Sequence, residues 1–383
     1  QIPPHLGNLS SLNYLDLSNL NYGIQLWTTN MQWLSGLSFL KHLNLGHADL
    51  SRLVEANNWL QPINMLPNLV ELHLPDCSLE SLPLSLPFIN FTLLSILDLS
   101  SNSFNVSSIP NWLFNLTSLT KIDLGGNSFS GAISREFAKL VSLQVLDLSN
   151  NGHIGGQIPR VLGNLCKLEI LDLSGNNFTG KIDEFFDGFS ACPNNSLVSL
   201  SLSGNNLVGN LPDSLGTLEN LQHLYLTGNY FWGSIPASIG SLPSLQSLIL
   251  SNNKMNETIP ESFGQLSKLV QLDLQENPWE EGVSITEAQL MNLTRLESVF
   301  LMTHTVNSLV LNVTYEWVPP FRLKSLDLEN CHVGPRFPVW LQVQSELNDV
   351  NLKNVGIVDT ISEDWFSNMS SQIRFLDLSD NQI

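Results

Sequence analysis

The sequence is poor in positive charge. Its 383 residues include 16 Lys and Arg against 35 Asp and Glu, which gives a formal net charge of −19. Binding to nucleic acid requires a footprint of Lys and Arg, and anionic membrane surfaces likewise attract basic segments. The composition therefore argues against both and favours a cationic partner, although solubility alone explains much of such a charge.

Long apolar runs are also missing. No stretch of about 18 or more uncharged apolar residues occurs, which is the length that a membrane-spanning helix requires. No basic segment followed by an apolar one begins at Gln1, so a signal peptide is not indicated. Apolar residues nevertheless make up 43% of the chain and charged residues only 13%. We therefore expect a core that runs through the whole chain and no direct membrane contact.

Sequence signatures of catalysis are absent as well. The eight histidines are scattered, with no His-x-x-x-His pair. We find no Gly-x-Ser-x-Gly elbow and no Gly-rich phosphate loop followed by Lys. An enzyme needs titratable groups that converge in a pocket, so neither an enzyme nor a cofactor is expected.

What the sequence has in abundance is an internal repeat. The phrase L-x-x-L-x-L-x-x-N recurs in about 15 units of roughly 24 to 29 residues, the period of leucine-rich repeats. The clearest copies are Leu94–Asn102, Leu143–Asn151, Leu168–Asn176, Leu221–Asn229, Leu245–Asn253 and Leu269–Asn277. One repeat cannot bury its own leucines, whereas stacked repeats form a continuous core. We predict a single α/β solenoid of leucine-rich repeats over residues 1–383.

Each position of the repeat has a physical role. Leu97 and Leu99 alternate with Asp98, so the leucines point inward and the Asp faces solvent on a short parallel strand. The final Asn can bond backbone groups of its own turn and of the adjacent turn. We name this column the asparagine ladder: Asn102, Asn127, Asn151, Asn176, Asn205, Asn229, Asn253, Asn277 and Asn381. In other repeats the slot holds Ala48, Cys77, His304, Cys331 or Val355.

A second phrase close to Phe-x-Gly-x-Ile-Pro follows the Asn, as in Phe231–Pro236, Leu207–Pro212 and Phe178–Ile182. A small residue permits a tight bend, and Pro ends an extended segment where its missing N–H does least harm. This pattern resembles the plant-specific class of leucine-rich repeats. The resemblance implies a superhelical horseshoe with a parallel concave β-sheet, short second β segments, and a convex side of 3-10 and irregular segments.

The two ends and one internal stretch depart from the repeat. The chain opens on the tail of a repeat at Gln1 and stops inside another at Ile383, although solenoids need polar capping units. We expect an internal piece of a longer protein; an isolated domain with unusual ends is the alternative. The repeats of 278–320 are lengthened and irregular, and such insertions often carry binding specificity.

The four cysteines predict a secretory protein with one disulfide. Cys166 and Cys192 lie about one repeat apart on the convex side, and adjacent coils stack within disulfide reach. We predict a bridge between them. Cys77 and Cys331 occupy the ladder slot, where Cys is an accepted substitute. For these two residues we predict buried free thiols.

Ten Asn-x-Ser/Thr triplets predict N-glycosylation of an extracellular chain. They lie at Asn8, Asn90, Asn105, Asn115, Asn177, Asn194, Asn256, Asn292, Asn312 and Asn368. The repeat consensus itself generates some of these triplets. Those at Asn90, Asn194 and Asn312 fall outside it and support the glycosylation reading.

A ligand is expected on the concave face, where residues that depart from the bland Asp, Ser and Gly consensus cluster. The first candidate group is His223, Tyr225, Ile249, Gln271, Gln275, Glu276, Phe300 and Met302. An exposed stripe of aromatic and aliphatic side chains is costly to leave in water without a use, although drift of surface positions also produces one. A second candidate patch comprises Tyr14, His42, Glu71 and His73.

Two groups of carboxylate and histidine residues have side chains that could serve in metal or catalytic sites. His42, His47, Glu71, His73 and Asp76 project from two neighbouring repeats, but variable surface positions explain them equally well, and no metal site is expected. A column of aspartates belongs to the L-D-L consensus and is expected to be structural. It comprises Asp98, Asp123, Asp147, Asp172, Asp273, Asp327 and Asp377.

The segment 317–341 carries a more specific motif. It reads WVPPFRLKSLDL, then Cys331, then GPRFPVWL. This block resembles a hallmark of plant leucine-rich-repeat receptor-like proteins, most of all the group that senses fungal ethylene-inducing xylanase. Asn164-Leu-Cys166 with Cys192, and the segment Pro278–Val283, are similar to that group too.

The resemblance implies a kinase-less immune receptor on the extracellular, apoplastic face of the plasma membrane. Such receptors bind a microbial protein or peptide, in this group a glycoside hydrolase, and signal through adaptor and co-receptor leucine-rich-repeat kinases. The family's capped N-terminus, island domain, last repeats and membrane helix have no counterpart in this sequence, so kinase pairing would use parts largely absent here. A receptor-kinase ectodomain and a secreted inhibitor of microbial cell-wall-degrading enzymes, similar to polygalacturonase inhibitors, remain as alternatives.

Overall fold

A computed structural model describes residues 1–19, 25–54, 58–369 and 372–383. The chain divides into two compact units. The first unit comprises Gln1–Thr179 and Ala191–Ser196, and the second comprises Gly180–Ser190 and Leu197–Ile383. Among the described residues, no helix combines the length and the apolar character that crossing a membrane demands.

Each unit contains a parallel sheet of three-residue strands, with one strand in each repeat. The strands of the first unit are Tyr14–Asp16, His42–Asn44, Glu71–His73, Ile96–Asp98, Lys121–Asp123, Val145–Asp147 and Ile170–Asp172. Those of the second unit are Ser199–Ser201, His223–Tyr225, Ser247–Ile249, Gln271–Asp273, Ser298–Phe300, Ser325–Asp327, Asp349–Asn351 and Phe375–Asp377. Equivalent residues of neighbouring strands pair without a shift, as in Leu224 with Leu248.

The alternation within each strand explains why the sheet forms. The middle residue points into the core, and Leu146, Leu224 and Leu248 are fully buried. The first and third residues point outward, so every strand adds two side chains to a common outer surface. Because the register is constant, these outward positions form two rows across each sheet, which we name the first and third rows.

Second β segments follow the strands of several repeats. Ser130–Ala132, His153–Gly156 and Asn177–Gly180 pair in this order, and Asn206–Gly209, Tyr230–Gly233 and Lys254–Met255 form a second set. A longer pair joins Val283–Thr286 to Leu309–Asn312. Gly233, the last residue of Tyr230–Gly233, has a φ of 81°, a backbone conformation that favours glycine. The predicted second β segments are confirmed.

Short helices close most of the repeats. Those of the 3-10 type are Pro4–Asn8, Gln32–Gly36, Asn111–Asn115, Arg135–Lys139, Asp213–Thr217, Ala237–Ser241, Glu261–Gln265 and Val339–Val343. The α-helices are Leu60–Asn64, Arg160–Gly163, Asp183–Phe189, Glu287–Leu290 and Glu363–Met369. Pro212, Pro236 and Pro260 occupy the position before the first residue of three of the 3-10 helices. The predicted plant-type leucine-rich-repeat elements are therefore all present.

The asparagine ladder joins consecutive repeats from within. The Nδ2 of Asn253 donates to Leu226 O at 2.9 Å in the preceding repeat and to Leu250 O at 3.1 Å in its own. Its Oδ1 accepts the backbone N–H of Phe231 at 3.1 Å. The same bond to a preceding leucine is made by Asn102, Asn127, Asn151, Asn176, Asn229, Asn277 and Asn381.

Two substitutes in the ladder behave as predicted and one does not. The thiols of Cys77 and Cys331 are buried and donate to the backbone carbonyls of Leu45 and Leu301, at 3.2 and 3.3 Å. The prediction for His304 is wrong, because its side chain is exposed and pairs with Glu276. The preceding Thr303 is fully buried instead, with its hydroxyl donating to Thr305 O.

The cysteine predictions hold for all four residues. Cys166 and Cys192 form a disulfide with a Cα–Cα distance of 5.3 Å. Cys77 and Cys331 are free and buried, and burial raises the pKa of each thiol to about 12. Because the thiolate is the reactive form, the two free thiols are structural and unreactive in the folded protein.

Candidate functional site

Four strands of the second unit carry the first group of predicted ligand-binding residues. In the third row, Tyr225, Ile249, Asp273 and Phe300 are neighbours in this order. His223 begins the corresponding part of the first row, followed by Ser247 and Gln271. We name the outward residues of these four strands, together with Gln275, Glu276 and Met302 in the turns that follow them, the second-unit surface.

Most of the predicted residues on the second-unit surface are accessible. The side chains of His223, Tyr225, Gln271, Gln275, Glu276, Phe300 and Met302 are half-buried. The expectation that Ile249 is exposed is wrong, because only 9% of this residue is accessible. Ile249 lies between Tyr225 and Asp273 on strands about 4.8 Å away on either side, and these neighbours leave little of it to solvent.

Contacts among the neighbouring residues fix this surface. The rings of His223 and Tyr225 are parallel within 3°, with centroids 6.1 Å apart, and His223 Nδ1 lies 3.3 Å from Ser247 Oγ. Glu276 has a φ of 58°, in the left-handed region, and its N–H donates to Met302 O at 2.9 Å. Burial raises the pKa of Asp273, so this carboxyl group is less readily charged than a free one. The surface is therefore a rigid mixture of aromatic, amide and weakly acidic groups.

The second candidate patch forms a compact cluster in the first unit. Tyr14, His42 and Glu71 are consecutive members of the first row. The Tyr14 ring stacks on His42 with centroids 4.1 Å apart, and His42 Nδ1 lies 2.7 Å from Glu71 Oε2. His73 completes the group, and one ligand atom from each of His42, Glu71 and His73 lies within 4.8 Å of the others. We name these three residues the His–Glu cluster.

His47 and Asp76, the other histidine and carboxylate of these two repeats, do not belong to this cluster. His47 Nδ1 pairs with Asp76 Oδ2 at 3.1 Å, and both residues have a positive φ in the turns after their strands.

His73, a member of the cluster, also has a carboxylate neighbour outside it, because its Nδ1 faces Asp98 Oδ2 at 3.7 Å. Asp98 and, more weakly, Glu71 raise the pKa of His73. Sequence reasoning missed Asp98 as a partner because this residue matches the repeat consensus.

The sequons lie mostly at the surface. Asn8, Asn105, Asn115, Asn177, Asn194, Asn292 and Asn312 are exposed, and Asn90 and Asn256 are half-buried. The Oδ1 of Asn256 accepts the Gly233 N–H at 2.9 Å, and its Nδ2, the atom to which a glycan would be attached, donates to Glu280 Oε1 at 3.4 Å. The side chain of Asn368 lies outside the described residues. Glycosylation at all ten positions stays a prediction.

The irregular stretch 278–320 contributes less exposed aromatic surface than the sequence suggests, because Trp279 is buried. Sequence reasoning missed a different pair, Tyr230 and Trp232, which are each 48% exposed on a second β segment. The alternating pattern around Phe231, which is buried, is the signal that identifies them.

The stability of the protein should depend on pH through Asp123, a member of the aspartate column in the first unit. Burial, followed by the charges of Asp147 and Asp98, raises the pKa of Asp123 from 3.8 to about 6. A raised folded-state pKa means that the folded protein holds this proton more tightly than the unfolded chain. The stabilisation is therefore full below pH 3.8 and is lost as the pH rises through about 6.

We expect Asp123→Asn to raise the free energy of unfolding at about pH 7.5 by about 1 to 3 kcal/mol and to have little effect near pH 4. The Asn Oδ1 can still accept the Gly125 N–H, which Asp123 binds at 3.2 Å. Thermal unfolding at the two pH values measures the effect. Asp377→Asn is the control, and it should lower the free energy of unfolding at about pH 7.5, since hydrogen bonds from Ser379 lower the pKa of Asp377. An equal gain for both variants would contradict the assignment to Asp123.

Comparison with known proteins places these elements in a family. The family model for the leucine-rich repeat region matches residues 195–361, and two other leucine-rich repeat models match residues 141–187 and 118–140. Receptor-like protein EIX1 of Solanum lycopersicum is 42% identical over 427 aligned residues, which cover 100% of this chain and 40% of that protein. Receptor-like protein EIX2 of the same species is 37% identical over 90 residues, 24% of this chain and 9% of that protein.

Solved structures show the same fold. The chain is similar to the crystal structure of a TDR receptor, with a TM-score of 0.70, 26% identity, and coverage of 99% of this chain and 61% of that one. The complex PEPR1-AtPEP1 gives a TM-score of 0.76 at 23% identity, covering 99% and 53% of the two chains, and this likeness shows the fold alone. The chain spans about two fifths of the length of EIX1, the curated relative that it matches throughout. It belongs to the leucine-rich-repeat receptor-like proteins of plants.

Proposed function

We propose that this chain is the ligand-sensing, extracellular part of a plant immune receptor that binds a secreted microbial protein, with a glycoside hydrolase as the first candidate. The second-unit surface carries the proposal, because it brings Tyr225 and Phe300 into one row on paired strands. Similarity to EIX1 over the whole chain supports the receptor role. We propose further that signalling uses adaptor and co-receptor leucine-rich-repeat kinases, and we assign no surface of this chain to them.

The chemistry of the second-unit surface suits a protein ligand. Aromatic side chains dominate binding energy in protein interfaces when they lie near the centre of the contact area. Here they stand on short paired strands, so little conformational entropy is lost when a partner binds. Four strands span roughly 15 Å, and a standard interface buries about 800 Å² on each partner. The turn residues Gln275, Glu276 and Met302 would therefore join the contact.

Binding to a panel of secreted microbial hydrolases tests the proposal. The chain, expressed in plant cells between capping repeats, is compared with the triple variant His223→Ala, Tyr225→Ala, Phe300→Ala. Ile249 is left unchanged, since its burial would make a substitution a test of folding. We expect at least one hydrolase to bind the parent, and the Kd of the triple variant to rise by at least about 100-fold.

A matched control removes aromatic area elsewhere. The variant Tyr230→Ala, Trp232→Ala loses two exposed rings from a second β segment of the same unit and should bind as the parent does. Loss of binding in this control, with retention in the triple variant, would move the site to that segment. Hydrolase activity measured in the same mixtures separates a sensor from an inhibitor, since only an inhibitor abolishes turnover on saturation.

A further inference from the structure

The His–Glu cluster has the composition of a metal site, and we propose that His42, Glu71 and His73 bind one Zn²⁺ ion. Two imidazoles and one carboxylate are the protein ligands that zinc takes in many sites with an open fourth position. The three ligand atoms lie within 4.8 Å of one another in the described part of the chain. This site is independent of the second-unit surface, which carries the proposed function, and it uses three residues of the second candidate patch.

The distances fit a zinc ion with small side-chain adjustments. Zn–N and Zn–O bonds of about 2.0 to 2.2 Å place neighbouring tetrahedral ligand atoms roughly 3.3 to 3.6 Å apart. Glu71 Oε2 lies 2.7 Å from His42 Nδ1 and 3.7 Å from His73 Nε2, values that bracket this range. The shorter distance is a hydrogen bond whose proton the metal would replace. Rotations that move the ligand atoms by less than about 1 Å would therefore complete the site.

Groups around the cluster orient both imidazoles. The second nitrogen of His73, Nδ1, faces Asp98 Oδ2 at 3.7 Å, the carboxylate–histidine arrangement that supports metal-bound imidazoles. Asp98 is itself held by the backbone N–H of Ser100 at 3.1 Å and its hydroxyl at 2.8 Å. On the other side, the Tyr14 ring lies within 5° of parallel to His42. These supports distinguish the cluster from a chance meeting of surface charges.

The scaffold adds rigidity and partial shielding. The side chains of His42, Glu71 and His73 are 16%, 37% and 22% exposed, so the ion would lie at the base of the outer surface. His42 and Glu71 are paired in register on adjacent strands, and His73 belongs to the strand of Glu71. Nitrogen donors favour zinc and its transition-metal neighbours over Mg²⁺ and Ca²⁺, which prefer oxygen. The fourth position remains for water or for a side chain of a bound protein.

Isothermal titration of the chelator-treated 383-residue chain with ZnCl₂, in excess Mg²⁺ to occupy scattered carboxylates, tests the site. We expect one Zn²⁺ per chain, and at least about 100-fold weaker binding for His42→Gln and for His73→Gln. Asp98→Asn should weaken binding about 10- to 100-fold. Co²⁺ provides a second readout, because a four-coordinate ion has visible absorption that these histidine variants should lose.

The matched control is His47→Gln, which removes a histidine from the separate His47–Asp76 pair and should leave zinc binding unchanged. Thermal unfolding checks that each variant is folded. If a histidine variant does not fold, Glu71→Gln replaces it in the test, because glutamine keeps the shape of the glutamate side chain. Absence of a saturable site overturns the proposal. So does a site that survives the loss of either histidine, or equal weakening by His47→Gln, which would indicate diffuse binding to an acidic surface.

Discussion

Asn253→Ala should lower the free energy of unfolding by about 3 to 5 kcal/mol, one of the two largest effects that we expect of any change in this chain. Asn253 is 2% exposed, and its amide donates to Leu226 O, Leu250 O and Ser251 O. Alanine leaves the Phe231 N–H without its acceptor in a buried place. It also removes one of two donors from each carbonyl, because Leu226 O, Leu250 O and Ser251 O keep only the bonds from Asn229, Asn277 and Gly228. Denaturant unfolding measures the total loss, and hydrogen exchange at the Phe231 amide should accelerate.

The chain supplies its own controls for this substitution. Asn253→Cys should be less destabilising than alanine, because the thiols of Cys77 and Cys331 already donate to the preceding leucine carbonyl from this slot. Asn253→Asp keeps the shape but loses every donor and buries a carboxyl group, so it should be at least as destabilising as alanine. If alanine and cysteine were equally well tolerated, the ladder would owe its role to packing rather than to hydrogen bonds.

The ladder also shows how far the sequence alone reaches. The repeat phrase is sufficient to locate the strands, the inward leucines and the asparagine hydrogen bonds between repeats, because each follows from a fixed spacing. The spacing of Cys166 and Cys192 identified the disulfide for the same reason. Where a turn is irregular, the spacing misleads. His304 stands at the ladder position in sequence, but the turn places Thr303 inside and leaves His304 in solvent.

The candidate sites depend on neighbours that one repeat does not reveal. Ile249 is outward by the alternation within its strand, yet its burial is decided by Tyr225 and Asp273 on the strands beside it. Likewise, the sequence gathers five histidine and carboxylate residues in two repeats. Only the register and the ring orientations separate the His–Glu cluster from the pair of His47 and Asp76. Asp98 lies in the third row, and its contact with His73 is easily overlooked because an aspartate at this position matches the repeat consensus.

Removal of the disulfide by Cys166→Ser, Cys192→Ser should lower the free energy of unfolding by about 3 to 4 kcal/mol, on a chain-entropy estimate for a closed loop of 26 residues. The bridge acts mainly on the unfolded chain, which gains freedom when the loop opens. Unfolding of the parent with and without dithiothreitol should show the same loss. The double serine variant should not respond to dithiothreitol at all.

Thiol counting separates this effect from one on the two free cysteines. Burial raises the pKa of Cys77 and Cys331 to about 12, so a thiol reagent should label neither in the folded protein near neutral pH. Unfolding without reductant should expose two thiols, and unfolding with reductant four. Cys77→Ser should destabilise the protein in both redox states by the same amount, because it changes ladder packing and leaves the loop closed. A dithiothreitol effect that persists in the double serine variant would contradict the assignment of the stabilisation to this bridge.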